Sequence, residues 1–169
     1  MSKLTIITGN GKGKTTTAMG IVVQAAFIGK QVYFGQFMKQ GDYSEIAALK
    51  ANFKNVTIEQ YQGNMVINRG TVDDDYKCAQ DGLKAAKASI ESNKYDLIVL
   101  DELNVALFLE LISLDDVLEL IALKGNAHMA LSGRYAHDDI IAVADECYEV
   151  KEIKHYYTQG VQARIGIEM

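Results

Sequence analysis

The 169-residue chain contains no proline and no tryptophan, and its two cysteines, Cys78 and Cys147, lack Cys-x-x-Cys spacing. Its 14 glycines are scattered singly and no segment is of low complexity, so no linker is visible and one domain is predicted over residues 1–169. Two cysteines make no secreted framework. They are expected to be buried or incidental thiols of a reducing compartment, which predicts a cytoplasmic protein. A compact domain of this length buries roughly 70% of its unfolded surface, so neither a disulfide nor a structural metal is required to hold it together. Positive charge is in deficit, 17 Lys+Arg against 22 Asp+Glu, for a net charge of -5. That balance argues against duplex nucleic acid as the main partner, because neutralising phosphates takes a surplus of Lys and Arg on one face. Long apolar runs are missing too. The opening Met-Ser-Lys-Leu-Thr-Ile-Ile-Thr-Gly breaks off too early for an export signal, and no window approaches the roughly 18 apolar residues of a membrane span. No repeat of fixed period is present, which excludes a solenoid.

What the chain does contain is alternation. Short runs rich in β-branched residues recur at 4–8, 31–36, 56–60, 97–101, 127–132 and 146–150, the pattern of strands buried on both faces. Helical periodicity fills the intervals at 14–29, 43–52, 72–93, 115–123 and 136–143, with Ala18, Ile21, Val22 and Ala25 on one face of the first. Crossovers of this length predict an α/β fold, a mostly parallel sheet with helices on both faces and functional loops at the carboxyl ends of the strands.

The first strand runs into Thr8-Gly9-Asn10-Gly11-Lys12-Gly13-Lys14-Thr15-Thr16 and then into a helix, the setting of a phosphate-binding loop. Glycines let the backbone curl so that N–H groups point into one concavity, and the helix amino end adds its dipole. Lys14 contributes a point charge and Lys12 a second cation, while Thr15 offers a hydroxyl to Mg²⁺. The loop departs from the usual pattern, which has glycine five residues before Gly13; here that residue is Thr8 and the glycine is Gly9.

The run Tyr95-Asp96-Leu97-Ile98-Val99-Leu100-Asp101-Glu102 is an apolar strand ending in two acids, a pairing that in nucleotide-binding folds lies near the metal. Asp101 or Glu102 would take Mg²⁺ directly or through water, and Asp101 has a competing reading as a helix amino cap. Arg134, in Ser132-Gly133-Arg134, follows a strand at the same edge, where its planar fork suits a phosphate or carboxylate. Gln36 and Lys39 follow the second strand. His128, His137 and His155 show no ligand spacing, and Asp73-Asp74-Asp75 opens a long helix, where three acids complement the dipole.

Taken together with Gln36-Phe37-Met38-Lys39, Val99-Leu100-Asp101-Glu102-Leu103-Asn104, Ser132-Gly133-Arg134 and the tail Ile153-Lys154-His155-Tyr156-Tyr157 with Gln159-Gly160-Val161-Gln162-Ala163-Arg164-Ile165-Gly166-Ile167-Glu168, the loop resembles the P-loop class of ATP:corrinoid adenosyltransferases over nearly the whole chain. The tail separates this family from kinases and ATPases that share the loop, and the glycine offset is the family's own. The resemblance implies a P-loop NTPase-like fold and an unusual use of ATP, in which a Co(I) corrinoid attacks C5′ of the ribose and expels the whole triphosphate. It implies that Gly9, Asn10, Gly11, Lys12, Gly13, Lys14, Thr15 and Thr16 hold the triphosphate, with Mg²⁺ on Thr15, Asp101 and Glu102. Lys14, Glu102 and Arg134 would then act in catalysis. ATP and a corrinoid such as cobalamin are the implied small-molecule substrates, a reductase such as a flavoprotein and a second copy in a homodimer the implied partners. Members of that family carry a Phe and a Trp between the third strand and the next long helix, displacing the lower axial ligand of cobalt. Here the stretch reads Tyr61-Gln62-Gly63-Asn64-Met65-Val66-Ile67-Asn68-Arg69-Gly70, so Met65, Val66 and Ile67 are the candidates for that wedge. An ATP hydrolase, a small-molecule kinase or a non-catalytic nucleotide-binding module are the competing functions.

Overall fold

The computed structural model describes residues 2–39, 43–61, 73–154 and 160. Strand and helix alternate from the start: β1 (Leu4–Thr8), α1 (Lys14–Phe27), β2 (Val32–Phe37), α2 (Ser44–Asn52), β3 (Val56–Tyr61), α3 (Asp73–Glu91), β4 (Leu97–Asp101), α4 (Leu103–Phe108), α5 (Leu114–Leu123), β5 (His128–Ser132), α6 (Asp138–Val143) and β6 (Glu146–Glu149). The strands form one sheet in the order β3-β2-β4-β5-β1-β6, and every pairing is parallel. This is the α/β architecture expected of a P-loop NTPase-like domain.

The period of two along each strand splits the core into two layers. Ile7, Val32, Phe34, Leu97, Val99 and Ala130 face one side, where they pack against Ala18, Met19, Val22 and Ala26 of α1 and Ile46 and Leu49 of α2. Ile6, Tyr33, Ile98, Leu100, Met129 and Leu131 face the other, beneath Ala79, Ala86 and Ile90 of α3 and Val117 and Leu120 of α5. Strands β3 and β6 depart from the expected burial on both faces, since their side chains are half-buried or exposed. The sheet order explains this, because both are edge strands and each has a neighbour on one side only.

Helix ends follow local chemistry. Ser113 and Asp116 form a reciprocal capping box at the start of α5. Asp73, Asp74 and Asp75 occupy the first turn of α3, where their charge meets the positive end of the helix. Helix α1 is different. It starts after Gly13, has no side-chain cap and carries no acid in its first turn, so its amino end remains electropositive. Cys78 is half-buried and Cys147 exposed, so neither is the core thiol the composition allowed for; β6 lies at the sheet edge and Cys147 with it.

Candidate active site

Because all strands are parallel, the ends of β1, β2, β4 and β5 open on the same edge, and the residues singled out in the sequence gather there. The loop 9–13 joins β1 to α1 and is strapped to the segment after β6. Gly11 N–H donates to Val150 O at 2.8 Å, and Val150 N–H donates to Thr8 O at 2.8 Å. Not every loop N–H therefore points into an anion-binding concavity, since that of Gly11 is taken by the strap. Gly9 has φ +100°, and a Cβ there would lie 2.8 Å from Val150 N and closer still to its carbonyl oxygen. Gly13 has φ +117° and open space around it, so backbone conformation alone requires glycine at that turn. Gly9→Ala, by contrast, meets both a clash with backbone and a disfavoured φ. We expect it to lower stability by about 2 kcal/mol or more, checked by urea unfolding.

Lys14 is buried at 7% exposure, and its Nζ folds back to donate to Gly11 O at 2.8 Å. Burial first, and the Arg134 guanidinium second, push its pKa below the usual lysine value, against the opposing pull of Glu102. Arg134 itself is exposed. Its neighbour Ala136 donates N–H to Thr8 Oγ1 at 3.2 Å, which ties the segment after β5 to the start of the loop.

Asp101 is fully buried and collects donors from two neighbouring strands and the start of α1. Gln36 Nε2 donates to it at 2.9 Å, Thr15 O–H at 3.1 and 3.2 Å to its two oxygens, and Ser132 O–H makes a short bond to Oδ1. Strand register sets this up, since Gln36 on β2 stands opposite Asp101 on β4. The helix-cap reading of Asp101 is thereby excluded: the cap position of α4 is Glu102, at φ 59°, and Asp101 belongs to the strand. Lys39 completes the cluster, with Nζ 2.7 Å from Thr15 Oγ1, 3.1 Å from Glu102 Oε1 and 3.6 Å from Asp101 Oδ2. Burial works to lower its pKa, but Asp101 and Glu102 outweigh that and hold it above the usual lysine value. The sequence placed Gln36 and Lys39 at this edge without showing that they join the acids.

Two clefts are lined by residues outside the cluster. One, of about 580 Å³, is lined by Lys12, Gly13, Thr16, Thr17 and residues 151–154. The other, of about 670 Å³, includes Tyr76, Leu107, Phe108, Leu111, Tyr135 and His137 in its lining. Phe108 and Tyr135 stack there with ring centroids 4.2 Å apart, and both remain about half exposed, at 56% and 49%. No signal in the sequence pairs these rings, which come from segments after different strands. Met65, Val66, Ile67 and most of the tail, including His155 and 161–169, lie outside the described residues.

The sequence profile of the family described as ATP:corrinoid adenosyltransferase BtuR/CobO/CobP matches residues 2–169, the loop, the acidic strand end and the tail together. The chain belongs to the ATP:corrinoid adenosyltransferase family. Among its relatives, the corrinoid adenosyltransferase of Escherichia coli K12 is 30% identical over 166 residues, covering 96% of this chain and 83% of that protein. Corrinoid adenosyltransferase CobA of Salmonella typhimurium is 29% identical over 164 residues, with the same shares covered. An uncharacterized protein of Nostoc, all2391, is 32% identical over an alignment of 185 positions that covers 99% of this chain and 48% of that protein.

Proposed function

We propose that this family member transfers the 5′-deoxyadenosyl group of ATP to a reduced corrinoid and releases triphosphate, with the described cluster as the triphosphate and Mg²⁺ site. The observation that carries this is the convergence of Thr15, Asp101, Glu102 and Lys39 beside buried Lys14 and the uncapped amino end of α1. The donor set suits Mg²⁺. A hydroxyl and two carboxylates are hard oxygen ligands, and an ammonium already sits among them as a cation. Among the described residues no three His, Cys, Asp or Glu side chains cluster as metal ligands, so phosphate oxygens and water would complete the shell. Bound there, Mg²⁺ would neutralise charge on the triphosphate as it leaves.

The chain's own groups supply the rest. Gly9, Asn10, Gly13, Thr15 and Thr16 present backbone around the phosphates, Gly11 fixes the loop to Val150, and Lys12, Lys14 and Arg134 add cations where negative charge accumulates. No general base is required, because the nucleophile carries no proton. Positioning is the remaining task, and holding two reactants in line supplies about 7–11 kcal/mol of a bimolecular barrier.

The corrinoid is assigned to the cleft bounded by Phe108 and Tyr135, with Met65 and Ile67 as the lower-face wedge. A half-exposed aromatic stack beside Arg134 offers the flat apolar surface that a macrocycle needs. Phe108→Ala should raise KM for cobalamin about five- to tenfold, on the scale of one lost aromatic contact, and leave the Kd for ATP unchanged. Steady-state kinetics with each substrate varied in turn checks this; an equal change in both constants would move the corrinoid elsewhere. The family resemblance further supports a cytoplasmic homodimer served by a reductase such as a flavoprotein. Among the described residues, no helix is long and apolar enough to cross a membrane.

Phosphorus NMR of the products tests the function. Adenosyl transfer leaves intact triphosphate, hydrolysis or phosphoryl transfer leaves ADP, and a binding module leaves ATP unchanged.

A further inference from the structure

The point bounded by Thr15, Asp101 and Glu102 is filled by the chain itself. Lys39 Nζ lies within 2.7 Å of the Thr15 hydroxyl and 3.1 Å of Glu102, while that same hydroxyl donates to Asp101. Mg²⁺ takes oxygen ligands at about 2.0–2.1 Å, so an ion on Thr15 and Glu102 would press against the ammonium already bonded to both. Two cations cannot share that space. The lysine reaches it through a special backbone: β2 ends at Phe37, Met38 adopts φ 57°, and Met38 N–H donates to Tyr61 O at 3.1 Å. A left-handed methionine is a disfavoured conformation, retained here in the turn that delivers residue 39 to the end of β4.

We infer that Lys39 is the resident counter-cation of the metal site, holding Thr15, Asp101 and Glu102 together in the free protein and yielding its place when Mg²⁺ arrives with ATP. This rests on the metal site proposed above. The consequence is an order of binding. Metal alone meets a site already occupied by an ammonium and is refused. Metal carried on a triphosphate brings its own ligands and a new anionic partner for the displaced ammonium, whose flexible four-carbon stem lets it turn toward the phosphates. Lys39 is therefore a positioning residue that couples metal entry to nucleotide entry.

Mn²⁺ in place of Mg²⁺, with free ion counted by electron paramagnetic resonance, reads this out without any turnover. Wild-type protein without nucleotide should bind Mn²⁺ weakly, and Lys39→Met should bind it at least tenfold more tightly. The gain should vanish in the double variant Lys39→Met with Glu102→Gln, and Lys39→Arg, which keeps the charge, should behave as wild type. In EDTA, Lys39→Met should bind ATP several-fold more weakly, having lost the cation that substitutes for metal. Equal or weaker Mn²⁺ binding by Lys39→Met, or tight binding by the wild type alone, would overturn the inference. Thermal melting guards against a merely structural ion pair: Mn²⁺ should raise the melting temperature of Lys39→Met, and of Lys39→Gln as a second variant, more than that of wild type. Losses in stability that Mn²⁺ does not restore would also overturn it. Wild-type protein titrated with Mn²⁺ and ATP together, against Glu102→Gln, tests the underlying metal site separately. Failure there removes the site, whereas success there with failure of the Lys39 variants removes only the role of Lys39.

Discussion

Lys14→Ala should weaken ATP binding about 10- to 100-fold, the equivalent of about 1.5–3 kcal/mol for a charge-assisted contact in a preformed anion site. The side chain is nearly buried and its ammonium is bonded to one loop carbonyl, Gly11 O, which it can leave when a stronger acceptor arrives. Burial and Arg134 together make the free-protein ammonium less comfortable than a surface lysine, and a phosphate beside it reverses that penalty. The alanine variant loses the donor to the buried Gly11 O, so it should melt somewhat below wild type while keeping its fold. Calorimetric titration with Mg-ATP measures the effect, and unchanged affinity would contradict the assignment of the loop.

Asp101→Ala should be the most damaging single change for stability, at about 3 kcal/mol or more, because it strands several groups at once. Asp101 is fully buried, and its loss leaves the Gln36 amide, the Ser132 hydroxyl and the Thr15 hydroxyl without their acceptor and takes one of two carboxylates from Lys39, which keeps Glu102 and the Thr15 oxygen. For a chain of this size that corresponds to a fall in melting temperature of about 6–12 °C. Asp101→Asn keeps the volume and one acceptor oxygen but turns an amide toward other donors, so an intermediate loss is expected. A melting temperature for the alanine variant within a degree or two of wild type would show that the cluster relaxes to find other partners.

The layers of this fold were legible because the first four strands are short, carry β-branched residues and alternate with stretches of helical period. The phosphate loop was legible because Gly-Lys-Thr sits between them. What remained hidden was long-range. Nothing local tells that Gln36 lies opposite Asp101, since that pairing depends on which strands become neighbours. Lys39 joins the acids only because Met38 turns left-handed, a conformation a methionine does not advertise. The strap from Val150 to Gly11 crosses from the last strand to the first loop, which periodicity cannot reveal. Helix α4 was visible only through the reading of Asp101 as a helix amino cap, and its six residues are too few for a clear period. The edge positions of β3 and β6 follow from sheet order, and their mark in the sequence is the polar residues Glu59, Gln60, Glu146 and Glu149 within those runs.

A triphosphate that leaves intact from the loop is seen most directly in a single-turnover reaction of the protein with Mg-ATP and chemically reduced Co(I) cobalamin. Absorbance should report formation of the cobalt–carbon bond, with one intact triphosphate released for each bond formed. Cobalt left unalkylated while ADP and phosphate accumulate would contradict adenosyl transfer.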